Sequence, residues 1–154
     1  MSDDEAYLII RDIRTLDVKL KKHYENTKIV INFLKKQKKI KEILYPHKPS
    51  SKSYKLWKKY YSGANGLFSM VIKSKKKSSV IKFVNSLQLF GIGYSWGGFE
   101  SLVLLQYLRT KTKYTQTRRY FRFATDEHIV RLHIGLEDPK DLIEDLKKSL
   151  KHIK

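Results

Sequence analysis

The chain has 154 residues, enough for one domain with a hydrophobic core of its own. Hydrophobic residues at 41% and aromatics at 12% argue against disorder. The lack of cysteine excludes disulfides, thiolate metal sites and thiol catalysis, and the formal charge of +18 raises the question of a nucleic-acid partner.

Residues 3–10 begin with acids and turn apolar, a pattern that predicts a helix start complementing its own dipole. From Thr15 to about Lys36, the positions Leu16, Leu20, Tyr24, Ile31 and Leu34, with Thr27 between, recur at steps of three and four. This spacing predicts a long amphipathic helix with lysines on its other faces. Ile40–Tyr45 reads as a short strand ended by Pro46 and Pro49, and Tyr54–Tyr61 as a short helix carrying Trp57. The turn Ser62-Gly63-Ala64-Asn65-Gly66 leads into a strand at Leu67–Lys73, apolar on both faces and therefore central in its sheet.

Ser78–Leu87 predicts a second amphipathic helix with Val80, Ile81, Val84 and Leu87 inward, and Phe90–Gly93 and Leu102–Gln106 predict short strands. Residues 107–127 show no period and read as a loop or irregular segment. His128–Ile134 is a strand with Val130, Leu132 and Ile134 toward the core and Ile129, Arg131 and His133 opposite. Asp138 caps a last helix with Pro139 at its first position, and Leu142, Ile143, Leu146, Leu150 and Ile153 form its inner stripe. Alternating strands and helices predict an α/β architecture, a sheet covered by helices.

The positive charge sits mainly in lysine runs such as Lys35-Lys36-Gln37-Lys38-Lys39 and Lys73-Ser74-Lys75-Lys76-Lys77, at the ends of elements. Such runs read as solvated surface, and lysine lacks the fork that recognises a guanine edge. No helix-turn-helix, zinc-finger or aromatic RNA-binding motif accompanies them, so nucleic acid is not the expected partner. No run approaches the ~18 apolar residues of a membrane span. The acidic start Met1-Ser2-Asp3-Asp4-Glu5 has no apolar run with a cleavage site, and a cytoplasmic protein is expected. His23, His47, His128, His133 and His152 are scattered without ligand spacing, so no metal site is expected. Of these, His133 shares the Arg131 face, and packing or hydrogen bonding is its expected role.

Two blocks carry the chemistry: Tyr94-Ser95-Trp96-Gly97-Gly98-Phe99-Glu100-Ser101-Leu102 and Arg131-Leu132-His133-Ile134-Gly135-Leu136-Glu137-Asp138. A charge in mid-strand needs a partner or an open cleft. Arg131 therefore either forms a structural pair, with Glu100 or Glu137 as candidates, or presents a bidentate clamp to a carboxylate. The paired glycines permit unusual backbone angles and close approach of a ligand, and Trp96 offers a flat apolar wall with one N–H donor.

The two blocks, preceded by Ile13-Arg14-Thr15-Leu16, Trp57-Lys58 and Ser62–Ser69 in the same order, resemble the signature of the Cys/Met-metabolism lyases that use pyridoxal phosphate. The variant with Trp96 and His133 is most similar to the bacterial cystathionine β-lyase branch. The resemblance covers nearly the whole chain but only the last part of such an enzyme. It implies the α+β small domain of a fold-type I pyridoxal-phosphate enzyme: a mostly antiparallel sheet covered by helices and preceded by a long helix. Residues 1–14 would end the connecting helix from a cofactor domain, and 15–154 would form the substrate domain.

By the same resemblance, Arg131 grips the substrate α-carboxylate, while Ser95, Trp96 and Tyr94 line the pocket. The implied substrate is cystathionine, and the implied assembly is a homo-oligomer. The family's Schiff-base lysine precedes the matching region, so covalent cofactor attachment and a catalytic residue are not expected in this chain alone. Activity would then require a companion chain carrying the cofactor domain. The alternatives are a degenerate remnant, a non-catalytic interaction module, and a charge-driven nucleic-acid binder. Asp12 stands where the family usually has glycine, which implies an altered bend between the first two helices. Thr112-Lys113-Tyr114 resembles the family's lysine motif but falls after the Ser-Trp-Gly-Gly block, the wrong place for it.

Overall fold

The computed structural model describes residues 1–106 and 126–154. Helix α1, Asp3–Ile13, starts with a capping box. The Ser2 hydroxyl accepts from the Glu5 N–H at 3.3 Å, and the Glu5 carboxylate accepts from the Ser2 N–H at 2.7 Å. Helix α2, Leu16–Leu34, is the predicted long helix. Asp12 lies within α1, and the bend falls at Arg14 and Thr15, where the Thr15 hydroxyl donates to the Asp12 carbonyl at 3.3 Å.

Strand β1, Ile40–Leu44, and helix α3, Tyr54–Tyr60, precede strand β2, Leu67–Lys73. Helix α4, Lys77–Asn85, leads to the two-residue strand β3, Gly91–Ile92, and then to β4, Leu102–Gln106. Strand β5, Glu127–His133, is followed by helix α5, Pro139–Ser149, and a 3-10 turn at Leu150–His152. The Asp138 carboxylate caps α5 by accepting from the Lys140 N–H at 2.8 Å. Among the described residues, no helix is long and apolar enough to cross a membrane.

The five strands lie in the order β1-β2-β5-β4-β3. Three of the pairings are antiparallel and β3–β4 is parallel, giving the expected mostly antiparallel sheet. Phe68, Met70 and Ile72 of β2, Val130 and Leu132 of β5, and Val103 and Leu105 of β4 share one apolar core with α2, α4 and α5. Alternation along each strand therefore sends one face to the helices and leaves Arg131 and His133 on the other.

Some inward positions differ from expectation. Leu16 and Leu20 are 47% and 44% exposed, while His23, Asn26, Thr27, Val30, Ile31 and Leu34 form the buried side of α2. In α4 Phe83 is buried with Val80 and Val84, whereas Ile81 is only half-buried. The face of β5 opposite the main core is not open along its length, since Ile129 and His133 are buried there. Of the segment 107–127, residues 107–125, with the Thr112-Lys113-Tyr114 motif, lie outside the described residues, and Glu127 already belongs to β5.

Helix α1 contributes no buried side chain, and Tyr7, Leu8, Ile9 and Ile10 are about half exposed or more. An 11-residue helix with so little tertiary support is marginal in water. Amides of residues 3–12 are therefore expected to exchange far faster than those of β2 and β5 in the monomeric chain. Hydrogen exchange followed by mass spectrometry measures this. Protection of 3–12 equal to the sheet's, in a monodisperse monomer, would show α1 to be an integral part of a self-sufficient domain.

Candidate functional site

Arg131 and His133 project from the same face of β5, two residues apart. In the register of the sheet, Arg131 lies between Ser69 of β2 and Leu104 of β4, and His133 lies between Leu67 and Leu102. The connection from β3 to β4, residues 93–101, meets these two side chains. Arg131 Nη2 donates to the Tyr94 carbonyl at 2.6 Å, with the Gly93 and Ser95 carbonyls at 3.3 and 3.5 Å. Its charge is thus met by carbonyl dipoles rather than by either expected glutamate. The Glu137 carboxylate instead accepts from the Ser101 N–H at 2.6 Å and the Ser101 hydroxyl at 2.8 Å.

This arrangement leaves Arg131 chemistry to spare. Its hydrogen bonds to described residues all leave from Nη2, which carries two N–H groups. Nε and Nη1 make no hydrogen bond to a described residue, which leaves three of the five guanidinium N–H groups for another acceptor. Beside it the turn presents Tyr94 at 81% and Trp96 at 59% exposure, with Ser95 also exposed. Gly97 has φ +87°, a left-handed conformation that costs glycine little and other residues more. The four residues expected at a substrate site therefore share one turn and the strand beneath it.

His133 anchors the other end of the turn. Its Nε2 lies 3.1 Å from Gly97 N and 3.2 Å from the Gly98 carbonyl. Burial lowers its pKa below the ordinary imidazole value, with His23 acting the same way, while the Gly98 carbonyl, Glu100 and Glu137 pull the other way. A packing and hydrogen-bonding role is what the structure gives this residue.

Ser101 escaped the sequence reading. Fully buried, it relays between the two blocks: its hydroxyl accepts from the Gly135 N–H at 2.9 Å while donating to Glu137. Asn26 was missed as well, and it ties α2 to the second block by donating to the Gly135 and Glu137 carbonyls at 3.1 and 2.9 Å. Only the separation of the two blocks hints at this knot, because its partners are mostly backbone atoms.

The small cavity beneath Trp96, about 70 Å³, is lined by Leu16, Lys19, Leu20, His23 and His133 among others. Small-molecule and cofactor sites run to ~300–1,000 Å³. Lys19, the lysine that lines this cavity, sits 3.5 Å from the Asp12 carboxylate. The cavity beside Trp96 falls below that volume range. A larger open pocket of about 430 Å³ around Tyr45, His47 and Trp57 includes none of the four expected site residues.

Comparison with known proteins matches residues 1–151 to the model of the Cys/Met metabolism PLP-dependent enzymes. The chain is 37% identical to a cystathionine β-lyase of Bordetella avium, over 97% of this chain and 36% of that protein. It is 36% identical to an L-alanine/L-glutamate racemase of Wolbachia pipientis wMel, over 95% of this chain and 35% of that protein. It also resembles the crystal structure of a Campylobacter jejuni protein assigned as an O-acetylhomoserine (thiol)-lyase, which carries N′-pyridoxyl-lysine-5′-monophosphate. There the TM-score is 0.73 with 30% identity, covering 95% of this chain and 32% of that one. The chain spans about a third of the length of the relatives it matches.

Proposed function

The chain belongs to the Cys/Met metabolism PLP-dependent enzymes, and on that premise we propose that it is the substrate-binding part of a carbon–sulfur lyase of the cystathionine β-lyase type. The observation that carries this reading is Arg131, held by the Tyr94 carbonyl with Nε and Nη1 making no hydrogen bond to a described residue, beside an exposed Tyr94-Ser95-Trp96 turn. In this reading Arg131 grips the α-carboxylate of the amino-acid substrate in a bidentate pair. Trp96 and Tyr94 form the walls, and Ser95 supplies a hydroxyl donor or acceptor at the rim.

A clamp of this kind fixes which α-carbon bond is aligned for cleavage, so it contributes orientation as much as affinity. Pyridoxal phosphate, when bound, supplies the electron sink for carbon–sulfur cleavage. The proposed overall reaction consumes cystathionine and water and yields homocysteine, pyruvate and ammonia. The cofactor and its lysine lie in a part outside these 154 residues. Residues 1–14 are the end of the connecting helix from that part, and the exposed apolar side chains of α1 support this division. Homo-oligomeric assembly through the cofactor part belongs to the same proposal.

The racemase name of the Wolbachia relative, at a similar identity, supports a second reading. The same carboxylate clamp would then serve inversion at the α-carbon rather than elimination. The test combines the chain with the cofactor-bearing remainder of the Bordetella relative and supplies cystathionine, alanine and glutamate in turn. Pyruvate release from cystathionine above that of the remainder alone is the expected result. Inversion of alanine or glutamate without pyruvate would favour the racemase reading. If the folded chain yields neither product, a remnant or an interaction module is the better account. Salt-dependent retention on DNA in that last case would point to the charge-driven reading.

A further inference from the structure

Beneath the turn that carries Trp96 lie two buried imidazoles, His23 of α2 and His133 of β5, 3% and 2% exposed, with ring centroids 5.1 Å apart. His23 Nδ1 is 2.7 Å from the Ile134 carbonyl, which can only accept, so Nδ1 carries a proton. In neutral His23 the other nitrogen, Nε2, is then a bare lone pair. It is buried without a hydrogen-bond partner among the described residues, and so is His133 Nδ1. Both rings line the same small cavity.

The remaining nitrogen, His133 Nε2, faces two turn atoms of opposite character. As an acceptor it takes the Gly97 N–H at 3.1 Å, and as a donor it gives to the Gly98 carbonyl at 3.2 Å. One nitrogen of a neutral imidazole does only one of these. The choice is decided on the far side of the ring. His133 Nδ1 and His23 Nε2 are not hydrogen-bonded to each other, but a proton on His133 Nδ1 would share the small cavity with the His23 lone pair, an electrostatically complementary arrangement. A lone pair there would oppose another lone pair in a buried site, which is costly.

We propose that His23 and His133 are a positioning pair: His23 fixes His133 in its Nδ1–H form, and that form anchors the Gly97 N–H and sets the Ser95–Gly98 turn. The chain of contacts runs from the Ile134 carbonyl through both imidazoles to Gly97. Arg131, two residues before His133, holds the carbonyls at the start of the same turn. Neither histidine touches substrate in this scheme. They act through the backbone that carries Ser95 and Trp96, and in that respect alone the proposal rests on the substrate-site reading above.

The anchor works while His133 is neutral. Protonation would turn Nε2 into a donor, transferring the bond from Gly97 N–H to the Gly98 carbonyl. The charged and titratable groups around His133 are His23 and Lys19 of α2, Glu100 before β4, Glu137 after β5 and Arg131 on its own strand. Because burial lowers the His133 pKa, the anchored form persists to a lower pH than it would for an ordinary histidine and is lost as pH falls through the lowered value.

The test uses the 154-residue chain alone, so its outcome is independent of whether the chain serves a lyase. Long-range 15N–1H correlation of the histidine rings at neutral pH should give the Nδ1–H form for both His23 and His133. An Nε2–H form at His133 would overturn the proposal without any variant. In His23→Leu the lone pair near His133 is gone, and the Gly97 amide should exchange about tenfold faster, with a shifted Trp96 indole resonance. His23→Gln can donate to Ile134 and accept from His133 at once, so it should restore both signals. Equal Gly97 exchange in all three proteins, or a Trp96 shift that Gln does not rescue, would show that the pair has no hold on the turn.

Discussion

Replacing Arg131 with Ala is expected to lower the specificity constant of the reconstituted enzyme for cystathionine by roughly ten- to a hundredfold or more. The estimate follows from the chemistry of the fork. Hydrogen bonds to charged groups are worth ~1.5–3 kcal/mol each, about ten- to a hundredfold for one bond, and the proposed clamp would lose two, so that range is the lower limit. It also releases the Tyr94 carbonyl, so the turn loses one of its two anchors on β5. Arg131→Lys separates these effects. An ammonium can still reach a carbonyl, but it cannot offer two parallel donors to a carboxylate. If the clamp dominates, Lys should fall nearly as far as Ala in kcat/KM; if the turn anchor dominates, Lys should recover most of the loss. Unchanged kinetics for Arg131→Ala would place the residue outside the site.

The elements were legible where their signals were local. Apolar runs next to glycine-containing turns located β2 and β4 at their observed bounds, and Asp138-Pro139 marked the start of α5. The two blocks also meet in space, through Arg131, His133 and the bonds between Ser101 and Glu137. What the sequence hid was polar burial. The inner face of α2 was drawn through Leu16 and Leu20, because apolar periodicity ranks leucine above histidine and asparagine. The observed face turns toward His23 and Asn26, since the Ile134, Gly135 and Glu137 carbonyls give them hydrogen bonds there. Leu16 and Leu20, facing the small cavity beneath Trp96, remain partly exposed. The same blindness concealed Ser101. A serine between glutamate and leucine carries no pattern, and its place depends on Gly135 and Glu137 arriving from more than thirty residues away.

That knot makes Gly135 the position where a single methyl group should do most harm. A Cβ there would run into the Phe99 carbonyl oxygen and the Glu137 carboxylate, and would lie 2.6 Å from the Glu100 carbonyl carbon. Two of these obstacles are backbone, and they have little freedom to move aside. Leu136 N–H donates to the Phe99 carbonyl at 2.8 Å, and the Ser101 N–H donates to Glu137 at 2.6 Å. Gly135→Ala must therefore break part of this lock or push β4 and the end of β5 apart. Overpacking of this type costs about 3 kcal/mol, toward the upper end for one added methyl group. Gly63 provides the control, because a Cβ there meets nothing within 4 Å. Gly63→Ala should stay within ~0.5 kcal/mol of the parent. Urea unfolding of both variants reads the difference directly, and a Gly135→Ala midpoint equal to that of Gly63→Ala would show that the contact between the two blocks is loose. A tight contact means that the turn bearing Trp96 and the strand bearing Arg131 fold as one unit, so the substitution should weaken amino-acid binding without touching any binding residue.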